Sequence, residues 1–298
     1  MSAENAPWTS RVSPEGEVGF VNVRAWGISD VGRQRTVNQD CHYIDPDHEL
    51  ILVLDGMGGH RAGEVASQMA METITRFYKE NSAGSSPDPG LIEDYDKSFT
   101  FHTNLLRQAV LNANRAVLDE SWTREEYLGM GSTVTGMAIH DYTVSVINVG
   151  DSRMYLIREG IMEQISKDHT LAEDQVERGI MTREEARESQ LRHILSSVIG
   201  VDGRIRVHVD ELSVVSGDIF LLCTDGLSAV MEDKEILSFL LANDLGQQTL
   251  TRLIDEVNER GGPDNTTLAL TVFSEEPTSS KQSSVSAFLS KALGVRKK

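Results

Sequence analysis

Four aspartates stand where apolar segments begin or end. Ile51-Leu52-Val53-Leu54 runs into Asp55-Gly56-Met57-Gly58-Gly59-His60. Four consecutive apolar residues suit a strand buried on both faces, so Asp55 is held on a rigid support. Glycine at three of the next four positions lets the main chain approach an ion or ligand closely. The arrangement recurs. Tyr142 to Val149 leads into Gly150-Asp151-Ser152-Arg153, Asp218 to Thr224 leads into Asp225-Gly226, and Gly262-Pro263-Asp264-Asn265 opens Thr266 to Phe273. One Asp-Gly pair is read most simply as a turn. Four carboxylates at strand ends argue for a shared pocket.

Carboxylates without a histidine or thiolate cluster suit hard cations such as Mg2+ or Mn2+. Acids gathered in one pocket repel one another unless a cation joins them. Two ions bridged by one carboxylate acidify a bound water and stabilise both oxygens of an in-line displacement. Arg35, five residues ahead of Asp40, allows two readings. It could form a surface salt bridge with Asp40. Alternatively its planar guanidinium grips phosphate, and Asp40 faces the metal side of the same pocket. The chemistry deduced is metal-assisted hydrolysis of a phosphate ester. Other nucleophile patterns are missing: Cys41 and Cys223 lack a Cys-x5-Arg loop, and there is neither a Gly-x-Ser-x-Gly elbow nor a P-loop.

The elements that must position these residues follow from periodicity. Strands are expected over Val18 to Trp26 and Cys41 to Ile44, and a helix from Glu64 to Tyr78. Asn81 to Gly90 reads as a Ser/Gly/Pro loop, and Phe99 to Asp119 as a packing helix with Leu105, Leu106, Ala109, Val110, Ala113 and Val117 on one face. Gly131 to Ile139 and Tyr142 to Val149 form one antiparallel pair, Arg153 to Ile157 and Ile161 to Ile165 another. Lys167 to Ser197 is polar and helical, with few core residues, and is expected to be a mobile flap. Its His169 and His193 are read as solvated or structural. Strands at Val207 to Val215 and Ile219 to Cys223 precede a helix over Lys234 to Leu241, capped by Asp233, and a last helix over Gln247 to Arg260.

At 298 residues the chain suits one good-sized domain, 18–274, between two tails. Residues 1–17 read as disordered. Residues 275–298 read as a Ser/Thr-rich linker and a short basic amphipathic stretch that is disordered or docks on a partner, a membrane surface or the acidic body. A net charge of -18 excludes general nucleic-acid binding and favours basic protein partners. No apolar run is long enough to span a bilayer, and Met1 to Glu17 lacks the pattern of a secretory signal. With two cysteines in core-like segments, the expected compartment is the cytosol.

Six ordered motifs then carry a resemblance: Arg35-x-x-Asn38-Gln39-Asp40, Asp55-Gly56-Met57-Gly58-Gly59-His60, Gly131-Ser132-Thr133, Gly150-Asp151-Ser152-Arg153, Thr224-Asp225-Gly226-Leu227 and Gly262-Pro263-Asp264-Asn265. In order and spacing this set resembles the metal-dependent PPM protein phosphatases, type 2C, in their bacterial form, over roughly Val21 to Phe273. The resemblance implies an α+β fold, an αββα sandwich of two antiparallel sheets flanked by helices, with a metal site in a cleft at one end. It implies that Asp55 bridges two Mn2+ or Mg2+ ions, that the Gly56 carbonyl binds the second, and that Asp225 and Asp264 bind the first. Asp40 acts on the second ion through water. Asp151 with Asp225 matches a weaker third-metal site, and Arg35 matches the phosphate-binding arginine.

Two departures stand out. Gln39 replaces a glutamate common in the family, removing a negative charge behind the metals. Met57 stands where eukaryotic members carry the histidine proposed as general acid, while His60 follows three residues later. The leaving oxygen's proton is therefore assigned to His60 or to metal-bound water. The expected function is hydrolysis of phosphoserine and phosphothreonine in proteins, by a monomer opposing a Ser/Thr kinase that is itself an expected substrate. The alternatives are a hydrolase of small phosphate esters on the same metals and a non-catalytic phosphoprotein-binding scaffold.

Overall fold

The computed structural model describes residues 8–9, 21–59, 61–82 and 89–275. The chain opens with β1 (Trp8–Thr9), β2 (Val21–Asp30), β3 (Asp40–Asp45) and β4 (Leu50–Met57). Two long helices follow, α1 (Ala62–Ser82) and α2 (Phe101–Ser121), then β5 (Gly131–Ser132), β6 (Val134–His140), β7 (Thr143–Val149), β8 (Arg153–Arg158) and β9 (Ile161–Gln164). Beyond them lie α3 (Leu171–Glu177), α4 (Arg183–Glu188), β10 (His208–Ser213), β11 (Ile219–Cys223), the single turn α5 (Asp225–Ser228), α6 (Asp233–Ala242), α7 (Gln247–Glu259) and β12 (Thr266–Glu275).

The strands form two antiparallel sheets, ordered β1-β2-β12-β11-β8-β9 and β10-β7-β6-β4-β3, with β5 beside β4. The alternation of side chains along each strand explains the layers. Leu50, Leu52 and Leu54 of β4 pack under α1 and α2, while Ile51 and Val53 face the other sheet. Leu221 and Cys223 of β11 pack against α6 and α7, whereas Phe220 and Leu222 join the layer between the sheets with Ala269 and Phe273 of β12. The result is the expected αββα sandwich.

The inter-sheet layer turns polar at one end. Continuing the inward row of β4 past Ile51 and Val53 reaches Asp55, the row of β11 reaches Thr224, and that of β12 leads back to Thr267. The site is therefore the polar end of the central apolar layer.

Several expectations require correction. β2 extends to Asp30 because all ten of its residues pair with β12, from Thr266↔Asp30 to Glu275↔Val21. Within the tail read as disordered, Trp8 and Thr9 pair with Val23 and Asn22, using the otherwise open edge of β2. The polar segment from Lys167 is broken into α3, α4 and a 3-10 turn over Gln190–His193, each restarted by an N-capping side chain from Thr170, Thr182 and Ser189. Asp233 is the first residue of α6 rather than its cap. It accepts a 2.9 Å bond from the Tyr155 hydroxyl, and the Glu235 carboxylate serves the Glu232 N–H instead. The basic C-terminal stretch lies outside the described residues.

Candidate metal centre

Asp55 is held by a double link to the β5–β6 junction. Its N–H donates to Thr133 Oγ1 at 3.0 Å, and its carbonyl accepts from the Thr133 N–H at 2.8 Å. Thr133 Oγ1 also meets Ser152 Oγ at 2.7 Å, joining the strand of Asp55 to the turn of Asp151. Asp40 is the direct cross-strand partner of Asp55. Like charges placed opposite one another in a ladder are destabilising, so this pairing calls for a cation. Asp40 Oδ2 accepts from the Thr224 hydroxyl at 2.9 Å, while its buried Oδ1 has no protein partner.

Gly56 cannot carry a side chain. A Cβ there would lie 2.0 Å from the Gly63 carbonyl oxygen, and a Cβ on Gly63 would lie 2.7 Å from the Gly56 carbonyl oxygen. The two glycines let the first turn of α1 approach β4, with the Gln39 side-chain amide packed beside Gly63 and the Gly56 carbonyl. His60 lies outside the described residues.

Asp225 and Asp264 arrive from the other sheet. Asp225 opens α5 one residue after the end of β11 and lines the same cleft as Asp55. Asp264 pairs with Arg35 at 2.8 Å, with the Arg35 side chain 53% exposed. The surface salt bridge that the spacing allows between Arg35 and Asp40 is not formed; the carboxylate partner of Arg35 is Asp264. The loop bearing Arg35 is tied down by Asn265, whose Oδ1 accepts from Gln39 N–H at 2.8 Å and whose Nδ2 donates to the carbonyls of Val31 and Val37.

These residues enclose a cleft of about 320 Å3, lined by Arg35, Asp55, Gly56, Asp151, Asp225 and Asp264 together with Gln39, Met57, Thr133, His193, Leu195 and others. Asp40 stands behind this lining. Six of the seven described candidates thus line one cleft, and the seventh pairs with its central acid. The flap contributes His193, which lines the cleft wall rather than standing apart from it; His169 is structural, only 3% exposed.

The electrostatics follow from burial first and from crowded carboxylates second. Burial, opposed by hydrogen bonds from Thr267 and Thr224 and reinforced by Asp225 and Asp264, pushes the Asp40 carboxyl up to about 7. Asp151 is pushed up to about 7 by burial, then by Asp225 and Asp168. Asp55 and Asp225 are raised too, by burial first and neighbouring carboxylates second. Such acids ionise together only beside a compensating charge. Among the described residues no three His, Cys, Asp or Glu side chains stand close enough together to hold a metal ion by themselves. Oxygen ligands that leave room for water suit Mg2+ or Mn2+, which retain several waters, and the partnerless Asp40 Oδ1 and the place of Gly56 on the cleft wall fit that requirement.

What sequence reasoning missed is the support. Thr133, Thr224, Thr267, Asn265 and Gly63 carry no charge, and only their presence inside or beside the quoted motifs signalled them.

A two-sheet sandwich with helices outside and an acidic cleft at one end defines a metal-dependent phosphatase fold, and the comparisons agree. The protein phosphatase 2C family profile matches residues 31–271, and the chain belongs to that family. It is 30% identical over 245 residues to the serine/threonine phosphatase stp of Listeria monocytogenes, covering 81% of this chain and 92% of that one. It is 31% identical over 253 residues to protein phosphatase PhpP of Streptococcus pneumoniae, covering 84% and 97%. The crystal structure of the Mycobacterium tuberculosis serine/threonine phosphatase PstP/Ppp superposes with a TM-score of 0.73 at 30% identity, covering 85% and 99%. A PstP catalytic domain in complex with two manganese ions gives a TM-score of 0.71 at 30% identity, covering 86% and 100%.

Proposed function

We propose that this chain hydrolyses phosphoserine and phosphothreonine in proteins, with Mn2+ or Mg2+ as cofactor. The observation that carries this reading is the placement of Asp40 opposite Asp55, with Asp151, Asp225 and Asp264 at the same cleft. Asp55 would bridge two ions, with the Gly56 carbonyl on the second and Asp225 and Asp264 on the first. Asp151 with Asp225 would hold a third ion more weakly. When bound, the ions supply the positive charge that ionises these acids together and acidifies the attacking water.

The chain's own residues do the rest. Arg35 would exchange its exposed pair with Asp264 for two phosphate oxygens, which its planar fork matches. Asp40, anchored through Oδ2, keeps Oδ1 available to orient a water. His60 remains assigned as the proton donor to the leaving oxygen, alongside water. We assign the catalytic unit to residues 18–274, although β12 continues one residue further, to Glu275. A monomer opposing a Ser/Thr kinase in the cytosol is the setting we propose. The free cysteines support a reducing compartment, and no helix among the described residues is long and apolar enough to cross a membrane.

Comparing kcat/KM for a phosphothreonine peptide with that for p-nitrophenyl phosphate tests the substrate class. The peptide should be preferred. Turnover of the small ester alone would overturn the protein-substrate assignment, and binding of a phosphoprotein without turnover under any metal would make the chain a scaffold.

A further inference from the structure

Asp168 and His169 belong neither to the carboxylate set nor to the phosphate contact, yet together they grip the turn that carries Asp151 at both ends. At its far end the Arg153 guanidinium donates to the Asp168 carboxylate, with Nη2 at 2.7 Å. At its near end Gly150 is held twice by His169. The His169 N–H donates to the Gly150 carbonyl at 2.8 Å, and imidazole Nδ1 accepts from the Gly150 N–H at 3.3 Å. Asn148 Nδ2 closes the same corner, donating to the carbonyls of Gly150 and Lys167.

The same residue also holds the flap. The His169 carbonyl accepts from the Ser196 N–H at 2.8 Å, and two residues later the Leu171 N–H donates to the Ile194 carbonyl at 2.8 Å. Thr170 and Leu195 bridge between these bonds. Leu195 and His193 line the cleft from the flap side, as Asp151 does from the sheet side. One buried imidazole and its peptide groups therefore join two walls of the site.

We infer that His169 is a positioning residue that fixes the Asp151 carboxylate relative to the flap, and through Asp151 sets the affinity of the weaker, outer metal position. The metal part rests on Asp151 being a ligand there, as proposed above. The chemistry predicts which replacements work. Asparagine places an oxygen the same number of bonds from Cα as Nδ1, so His169→Asn can still accept from the Gly150 N–H. Glutamine moves its oxygen one bond outward, and leucine has no acceptor.

The test uses the full chain and two readouts. Hydrogen exchange of the metal-free protein follows the amides around Gly150–Asp151 and Ser196, and Mn2+ titration follows phosphate release from a phosphothreonine peptide. His169→Leu and His169→Gln should exchange faster at both places and shift the Mn2+ midpoint upward by about 10-fold, as loss of a ligand-orienting partner does. Turnover at saturating Mn2+ should stay near wild type. His169→Asn should resemble wild type in both readouts. If His169→Leu does not fold, the Gln and Asn pair carries the comparison. Unchanged exchange and midpoint in the Gln variant, or equal damage in Asn and Gln, would overturn the inference. A wild type that releases no phosphate at any Mn2+ concentration would remove the metal part, while the exchange readout would still decide the clamp.

Discussion

The centre of the site is a set of charges whose proximity is unfavourable without metal. Asp55→Asn removes one of them, so the metal-free variant should melt no lower than wild type even though turnover is lost. A lower melting temperature in chelator would mean that Asp55 serves the fold rather than the cation. Arg35 gives a second prediction at this scale. Its side chain is half exposed, so Arg35→Lys should fold normally but lose the paired fork. A hydrogen bond to a charged group is worth about 1.5–3 kcal/mol, so KM for the phosphopeptide should rise about 10-fold or more, with kcat less affected. The acids were legible in the sequence because each interrupts or bounds an apolar run. Thr133 and Asn265 were not, because an uncharged hydroxyl or amide acts through partners that only the fold brings near.

At the scale of elements, strands and the turns at their ends supply the acids, and pinned loops supply the rest. The loop from Val31 to Gln39 is pinned by the side chain of Asn265, with the Gly262 carbonyl accepting from the N–H groups of Arg33 and Gln34. Asn265→Ala should loosen this loop and raise KM while leaving the sheets intact, and faster hydrogen exchange at Gln39 would check it. Leu52 of β4 is fully buried beneath α1 and α2, so Leu52→Ala should cost about 2–5 kcal/mol in denaturant unfolding. Strand and helix order was readable from periodicity. The flap was less so, because α3 and α4 have one buried residue each and are set by local capping rather than by an apolar face. The role of His193 was hidden for the same reason: nothing around it in sequence marks the cleft wall.

Across the whole molecule, charge and pH response can be read together. The net charge of -18 should make turnover of a phosphopeptide with basic flanks fall as salt rises, and more steeply than for one with acidic flanks. At the end of β6 away from the cleft, His140 stacks on His102 at 4.7 Å, and burial followed by the charge of His102 pushes its pKa down to about 4. The unfolded chain then binds a proton between about pH 6.5 and 4 that the folded chain refuses, so stability present at pH 7 is lost as pH falls through that window. With Mn2+ present, so that the raised carboxylates add no opposite slope, His140→Gln should show a smaller fall in melting temperature from pH 7 to 5 than wild type does.

The most direct test is phosphate release from a phosphothreonine peptide by wild type and Asp55→Asn, each with Mn2+, with Mg2+ and with chelator. The account predicts turnover by wild type only when metal is present, and its collapse in Asp55→Asn under every condition. Turnover that persists in chelator, or in Asp55→Asn at the wild-type rate, would contradict it.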